Sequence, residues 1–236
     1  MIWYIICLFI LFGSIPFAYL IIKYRNPYKL IMVFGKKGAG KTTYLCKLTQ
    51  QYLKKGRPVY STEYIPGAYK IDPEDVGVVQ FPPESVILMD EVGMIYDNRQ
   101  YKSFKTSTRD YFKLQRHYKH TVYLFSQTFD IDIKLRTLTD KMYLLVNYFG
   151  FFTVGKEIRR KIVVVKPSEQ SESRIADELV ISPFLLTPFG ARIFVFIPHW
   201  AKYFDSHAAP ELETRHFELV SYPDNLPKYL KRRKRK

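Results

Sequence analysis

Leu30-Ile31-Met32-Val33-Phe34 runs without a gap into Gly35-Lys36-Lys37-Gly38-Ala39-Gly40-Lys41-Thr42-Thr43. The first five residues have the apolar composition of a buried strand, and the next nine fit G-x-x-x-x-G-K-[ST]. Strand, glycine loop and helix start therefore follow in the order that a phosphate-binding loop requires. Its glycines let backbone N–H groups wrap an anion, and the helix N-terminus adds partial positive charge. Gly35 to Thr43 is thus the candidate nucleotide site, with Lys41 aimed at β- and γ-phosphates and the Thr42 hydroxyl on Mg²⁺. A helix from Thr43 to Lys55, ended by Gly56, and a strand at Pro58–Ser61 are expected next.

Val86-Ile-Leu-Met89 is a second buried-strand run, and it ends in Asp90 and Glu91. An acid at the C-terminal end of a parallel strand faces the crevice where ligands bind, so Asp90 is placed to hold Mg²⁺ through water. Glu91 is then the candidate for polarising the attacking water. Thr121-Val-Tyr-Leu-Phe125 predicts another strand of the same sheet, ending in Ser126-Gln127-Thr128. Gln127 is a candidate γ-phosphate sensor, with a polar strand cap as the plain alternative. The helix-like Ile131–Arg136 offers Arg136 as a cation, although no spacing rule fixes that residue. The fold class implied is α/β: a phosphate-loop NTPase with a mostly parallel central sheet, over about residues 30–148.

Outward from this core, Ile2 to Ile22 carries no charge. As a helix that run is about 31 Å long, enough for a hydrocarbon core of roughly 30 Å. It predicts one N-terminal transmembrane helix. Lys23, Arg25 and Lys29 follow it, and the positive-inside rule puts the C-terminal side in the cytoplasm and the N-terminus outside. Ile181 to Trp200 is also apolar but holds Arg192, Pro183, Pro188 and Pro198, and Arg192–Ile197 reads as a strand. Strands at Phe149–Val154 and Ile158–Val165, beside the polar loop Lys166–Ser173, predict a small β appendage within a β-rich extension over 149–205.

Thirty-seven Lys and Arg against 22 Asp and Glu give a formal charge of +15, which favours an anionic partner. With 47% hydrophobic and 17% aromatic residues the chain is rich enough to build a core, which excludes a disordered tail protein. Cys7 and Cys46 make no disulfide framework. Lys102, Lys105, Arg109, Lys113 and Arg116 recur at helical steps within Tyr101–Lys119. Tyr101, Phe104, Tyr111, Leu114 and Tyr118 fall roughly opposite, so a cationic ridge on an aromatic-faced helix is expected. Such a ridge suits a nucleic-acid backbone or a neighbouring subunit's nucleotide, an ordinary solvated face being the alternative. Residues 206–236 form a tail whose last six carry +6, suited to anionic lipid or nucleic acid.

Taken in order, Gly35–Thr42, Val59-Tyr-Ser-Thr62, Leu88-Met-Asp-Glu91, Gln115-Arg-His117, Phe125-Ser-Gln127 and Leu135-Arg-Thr-Leu138 form a recognisable series. It resembles the zonula occludens toxin-like (Zot) family, assembly ATPases of filamentous phages within the HerA/FtsK-type motor group, over roughly Leu30 to Val165. Tyr203-Phe-Asp-Ser206 is a weaker echo. The resemblance implies ATP and Mg²⁺ as cofactors, Asp90 and Glu91 as the Walker B pair, Gln127 as sensor, and Arg116 and Arg136 as candidates for an intersubunit arginine. It implies a ring, as a hexamer, in the host inner membrane, working with coat and other assembly proteins and with single-stranded DNA as cargo. Familiar members place the span after the ATPase; here the apolar run comes first, and a dedicated periplasmic domain is not expected. The toxin activity in the family's name has no residue here to carry it. The reading is a membrane-anchored ATPase driving phage assembly and extrusion. Its alternatives are a membrane-anchored DNA translocase or conjugative coupling ATPase, and a nucleotide-switched membrane scaffold.

Overall fold

The computed structural model of the chain describes residues 2–95, 106–128, 133–165, 174–181 and 191–203. Its centre is β1 (Leu30–Phe34), all five residues of which are buried. Parallel to β1 lie β5 (Thr121–Ser126) on one side and β6 (Lys141–Tyr148) on the other. Beyond β5 come β4 (Val86–Met89), β2 (Val59–Ser61) and β3 (Tyr69–Lys70), all parallel. Beyond β6 the sheet turns antiparallel: β7 (Phe152–Val165) pairs with β6, and β8 (Arg174–Ile181) and β9 (Ala191–Phe196) both pair with β7. Among the described residues this is one nine-stranded sheet in the order β3-β2-β4-β5-β1-β6-β7-β8, with β9 on β7.

Strand side chains alternate between faces, so an unbroken apolar run is stable only when both faces are covered. Ile31, Val33, Leu88 and Phe125 pack with Leu45, Cys46 and Leu48 of α2 (Lys41–Leu53) on one face. Leu30, Met32, Ile87 and Leu124 pack on the other with Tyr111 and Phe112 of α4 (Thr106–Leu114) and Leu135 of α5 (Ile133–Leu138). A short α3 (Val92–Ile95) follows β4, and α6 (Ile197–Trp200) follows β9. This double covering is why Leu30–Phe34, Val86–Met89 and Thr121–Phe125 read correctly as strands from composition alone.

Three expectations change. The two strands expected at Phe149–Val154 and Ile158–Val165 are a turn and a single strand. Phe149 (φ 56°) and Gly150 (φ 76°) take left-handed turn conformations, and β7 then runs unbroken from Phe152. Gly155 does not interrupt it. A Cβ there would lie 2.5 Å from Cβ of Ile193, so the glycine admits β9 at close range. The strand β6 ahead of the turn was not anticipated. The expected basic helix is shorter: α4 ends at Leu114, and residues 115–119 turn, with Lys119 left-handed (φ 59°). Its buried stripe is Thr108, Tyr111, Phe112 and Gln115, whereas Leu114 and Tyr118 are 45% and 46% exposed. Asp110 lies 3.5 Å from Arg109 and 3.6 Å from Lys113, which partly neutralises the ridge. Tyr101, Lys102, Phe104 and Lys105 lie outside the described residues.

The N-terminal helix α1 covers Ile2–Tyr24. Among the described residues no helix is long and apolar enough to cross a membrane, and many side chains in the first half of α1 are outside that description. Its described apolar side chains, among them Phe12, Phe17, Leu20, Ile21 and Ile22, are exposed. The loop at 166–173, residues 182–190 and the tail 206–236 with its basic run also lie outside the described residues.

Candidate nucleotide site

The phosphate loop leaves the C-terminal end of β1 and enters α2. Gly38 (φ 76°) and Gly40 (φ 84°) hold left-handed conformations, the second as the residue that caps α2. A side chain is disfavoured there by about 1 kcal/mol or more. The Gly35 N–H donates to the Ser126 carbonyl at 3.0 Å, tying the loop to the end of β5, and the Ala39 N–H donates to the Lys36 carbonyl at 3.0 Å. Lys41 is only 7% exposed, and its Nζ donates to the Gly35 carbonyl at 2.9 Å, so the ammonium sits inside the loop. Thr42 is half-buried and Thr43 buried, whereas Lys36 and Lys37 face solvent. Behind the loop, burial pushes the Cys46 thiol up to about 11, leaving it without thiolate character at neutral pH.

Asp90 lies at the end of β4, 7% exposed. Its N–H donates to Oγ1 of Thr62 at 2.8 Å, and its Oδ1 accepts the Glu91 N–H at 2.9 Å. Burial pushes its carboxyl up to about 6; the Glu91 N–H and the Lys41 charge oppose this, while the Glu91 and Glu63 charges add to it. A buried carboxylate whose charged form is costly and which lies within the field of the loop lysine fits a divalent cation, because the cation restores the charged form. Among the described residues no three His, Cys, Asp or Glu side chains are grouped to hold a metal. Magnesium commonly uses one or two protein ligands, with phosphate oxygens and water filling the rest, and Asp90 with Thr42 suits that pattern.

Glu91 takes a left-handed backbone (φ 53°), uncommon for a residue with a side chain, and its Oε1 accepts a hydrogen bond of 2.5 Å from Nε2 of Gln127. The strand order makes this contact possible: β5 lies between β4 and β1, so Gln127 stands between the acidic strand and the loop strand. Lys41, Asp90, Glu91 and Gln127 thus gather at the same edge of the sheet. Arg116 and Arg136 do not join them. Arg116 lies in the turn before β5 begins. Arg136 lies one turn before Asp140, whose Oδ2 accepts the Leu30 N–H at the start of β1 at 2.8 Å. Arg116 is thus at the edge where β5 begins, roughly 20 Å of strand away from its own chain's loop, and Arg136 lies on α5, whose Leu135 packs against the sheet face.

Four neighbours of the site had no role assigned from sequence. Thr62 orients Asp90, and Glu63 adds a third carboxylate charge; the hydroxyl at the end of β2 was the available signal. Asn147 Nδ2 donates to the Gly38 carbonyl, and Thr153 Oγ1 donates to the Ala39 carbonyl, each at 3.0 Å. More than a hundred residues separate each pair, so no local pattern announces the contact.

Residues 73–168 match the family model described as Zonular occludens toxin (Zot). No curated protein matches the chain. Among solved structures, the N-terminal domain of zonular occludens toxin from Neisseria meningitidis is 14% identical, covering 67% of this chain and 96% of its own, with a TM-score of 0.39. The flagellar accessory protein FlaH from Methanocaldococcus jannaschii is 13% identical over 64% of this chain and 90% of its own, with a TM-score of 0.42. The genome packaging NTPase B204 from Sulfolobus turreted icosahedral virus 2, in complex with AMP, is 10% identical over 56% and 94%, with a TM-score of 0.43. The resemblance seen in the ordered motifs is thus met by a family-model match from Pro73 to Ser168, and the phosphate loop Gly35–Thr43 lies upstream of the matched residues.

Proposed function

We propose that this chain is a membrane-anchored ATPase that drives assembly and extrusion of a filamentous phage. The observation that carries the reading is the convergence of the Lys41 loop, Asp90, Glu91 and Gln127 at one sheet edge, with Gln127 bonded to Glu91 at 2.5 Å; the Zot match over 73–168 directs it to phage assembly. Magnesium and ATP, when bound, supply the electrophilic phosphoryl group and its charge neutralisation. The chain's own residues do the rest. The backbone N–H groups of Gly38 and of Gly40 to Thr42, with the Lys41 ammonium, would hold phosphate oxygens, while Thr42 and Asp90 would hold the cation. Glu91 Oε accepts a proton from the attacking water, and Gln127 fixes the orientation of that carboxylate.

The uncharged run Ile2–Ile22, followed by Lys23, Arg25 and Lys29, supports a single span with its N-terminus outside and the ATPase in the cytoplasm. The exposure of apolar side chains along α1 fits a helix surrounded by lipid. A homo-oligomer acting on coat protein and single-stranded DNA completes the reading.

The test is ATP turnover by the full chain purified in detergent, with Lys41→Ala and Glu91→Gln as controls, with and without single-stranded DNA. Turnover independent of DNA and lost in both variants is the expected result. Strong DNA stimulation moves the reading to a DNA translocase, and tight nucleotide binding without turnover moves it to a nucleotide-switched scaffold. Reporter fusions at the two ends of α1 test the topology.

A further inference from the structure

The β6–β7 hairpin does more than extend the sheet. Register places Phe34 of β1 opposite Leu144, so residues 145–148 of β6 continue past the end of β1 and run beside the phosphate loop. There Asn147 and Thr153 are directly opposite each other across the hairpin. Directly opposed residues project on one face of a sheet. That is the face of α2, because Tyr143 and Leu145, four and two residues before Asn147, pack into the cluster with Leu45 and Leu48. From this face the pair hold successive carbonyls of the loop: Asn147 Nδ2 donates to Gly38 and Thr153 Oγ1 to Ala39.

The chemistry of these two bonds differs. A trans peptide points its C=O and the following N–H in opposite directions. Asn147 therefore holds the peptide whose N–H, on Ala39, already closes a turn on the Lys36 carbonyl. Thr153 holds the peptide whose N–H belongs to Gly40, directly before Lys41. With its carbonyl fixed outward on the hairpin, that N–H is turned away from the hairpin, toward the concave side of the loop. Thr153 is fully buried, and its approach is close: a Cβ on Gly40 would lie 2.4 Å from its Oγ1. The left-handed Gly40 (φ 84°) and the threonine hydroxyl thus fit each other.

We propose that Thr153 is a positioning residue for the nucleotide site: its hydroxyl sets the Ala39–Gly40 peptide so that the Gly40 N–H is available to a phosphate oxygen. The proposal rests on reading the loop as a phosphate cradle. The residue does not touch the substrate; it removes a peptide flip that would turn a carbonyl dipole toward an anion.

The experiment compares Thr153→Val, which keeps the shape and removes the donor, with Thr153→Ser, which keeps the donor. Thr49→Val is the control, since Thr49 is equally buried and donates to the Leu45 carbonyl at 3.1 Å within α2, away from the loop. Two readouts are taken on the full chain in detergent. Hydrogen exchange of the peptide containing Lys36 to Thr42, without nucleotide, reads the clamp itself. Binding of a fluorescent ATP analogue and the split between KM and kcat read its use. Thr153→Val is expected to speed exchange in the loop and weaken nucleotide about tenfold, or ~1.4 kcal/mol. KM should rise more than kcat falls, and Thr153→Ser and Thr49→Val should stay within about twofold of wild type. Unchanged loop exchange in Thr153→Val overturns the clamp whatever the binding result. Faster exchange with unchanged affinity overturns its role toward nucleotide. Failure of the wild type to bind nucleotide overturns the cradle reading, and with it the role assigned to Thr153.

Discussion

Asp90→Asn should make the protein more stable and inactive at once. The carboxyl is pushed from an ordinary 3.8 to about 6, burial being the largest cause. A shift of about two units corresponds to about 3 kcal/mol between the protonated and ionised forms. For an acid whose folded pKa is raised, the native state holds the proton more tightly than the unfolded chain between pH 3.8 and 6. Stability therefore falls as pH rises through that window, and the full penalty is present above it. Asparagine removes the charge and still presents an oxygen to the Glu91 N–H, while its amide hydrogens meet the negative field of Glu63 and Glu91. The lost attraction to Lys41 is already contained in the net shift. Without nucleotide or Mg²⁺ at pH 8, the variant should exceed wild type by up to about 3 kcal/mol, a Tm rise of roughly 6–12 °C for a domain of this size. The gain should shrink as pH falls and vanish near pH 4. The assay is thermal and urea unfolding of both proteins in detergent with chelator, from pH 4 to 8. Mg²⁺-dependent turnover is measured alongside and should be lost. A variant less stable than wild type at pH 8, or a difference constant across pH, refutes the assignment of Asp90 as a carboxylate held in readiness for a cation.

Gly77→Ala should cost about 3 kcal/mol by urea unfolding: its φ is +91°, and a Cβ would lie 2.7 Å from Cα of Thr108, in the backbone of α4. Gly56→Ala, also at positive φ but facing open space, should cost only about 1 kcal/mol; equal losses would contradict the close seat of α4 on residues 76–77. Tyr111→Phe removes the 2.8 Å bond between Tyr111 Oη and His120 Nδ1 and should cost about 1–2 kcal/mol. Burial, the larger cause, pulls the His120 pKa below 6.5, so its contribution is present at neutral pH and lost as pH falls through that value. The stability difference between wild type and His120→Phe should accordingly narrow on acidification from pH 7 to 5, and a flat difference would contradict a buried neutral imidazole. Gln127→Leu should lower kcat by roughly 10–100-fold with KM little changed, because the lost partner orients Glu91 rather than binding substrate. Steady-state kinetics with unchanged kcat would refute that role.

What could be read from the chain, and what could not, follows the range of the forces involved. The β1–loop–α2 unit is coded locally: an apolar strand, left-handed glycines and a lysine at the helix start all lie within fourteen residues. Val86–Met89 and Thr121–Phe125 were legible because both of their faces are covered and no polar alternation interrupts them. The strand β6 was not, since Lys141 and Asn147 break the apolar run, and its strand character comes from pairing with β1, more than a hundred residues earlier. The gap between the strands expected at Phe149–Val154 and Ile158–Val165 holds Gly155, a residue that weakens a strand in isolation and here makes room for Ile193. The periodic cations beyond Leu114 suggested a longer helix, but the turn at 115–119 takes Arg116 off α4 and onto the loop before β5. Charge period alone is blind to that, because an exposed lysine or arginine is as stable in a turn as on a helix. The same long-range pairing that hid β6 also hid Asn147 and Thr153.

The arginines show what remains of the site once its residues are placed. On the phosphate side, the described residues of one chain supply a single buried cation, Lys41, with Lys36 and Lys37 exposed on the loop. Arg116 lies in the turn before β5 and Arg136 on α5, neither of them on the loop or at the strand ends that carry Asp90, Glu91 and Gln127. Whether either contributes charge to another copy in the proposed oligomer is testable without knowing the ring's geometry. Lys41→Ala disables the loop but leaves both arginines, whereas Arg136→Ala or Arg116→Ala leaves the loop intact. In an equal mixture assembled at random, roughly a quarter of the interfaces join an intact loop to an intact arginine. If Arg136 acts across the interface, Arg136→Ala and Lys41→Ala should each be inactive alone, and their mixture should recover about that fraction of wild-type turnover. The same holds for Arg116. Full turnover by an arginine variant on its own removes that residue from the chemistry. Two inactive variants with no recovery on mixing place its effect within its own chain, through the fold rather than through the neighbour's phosphate.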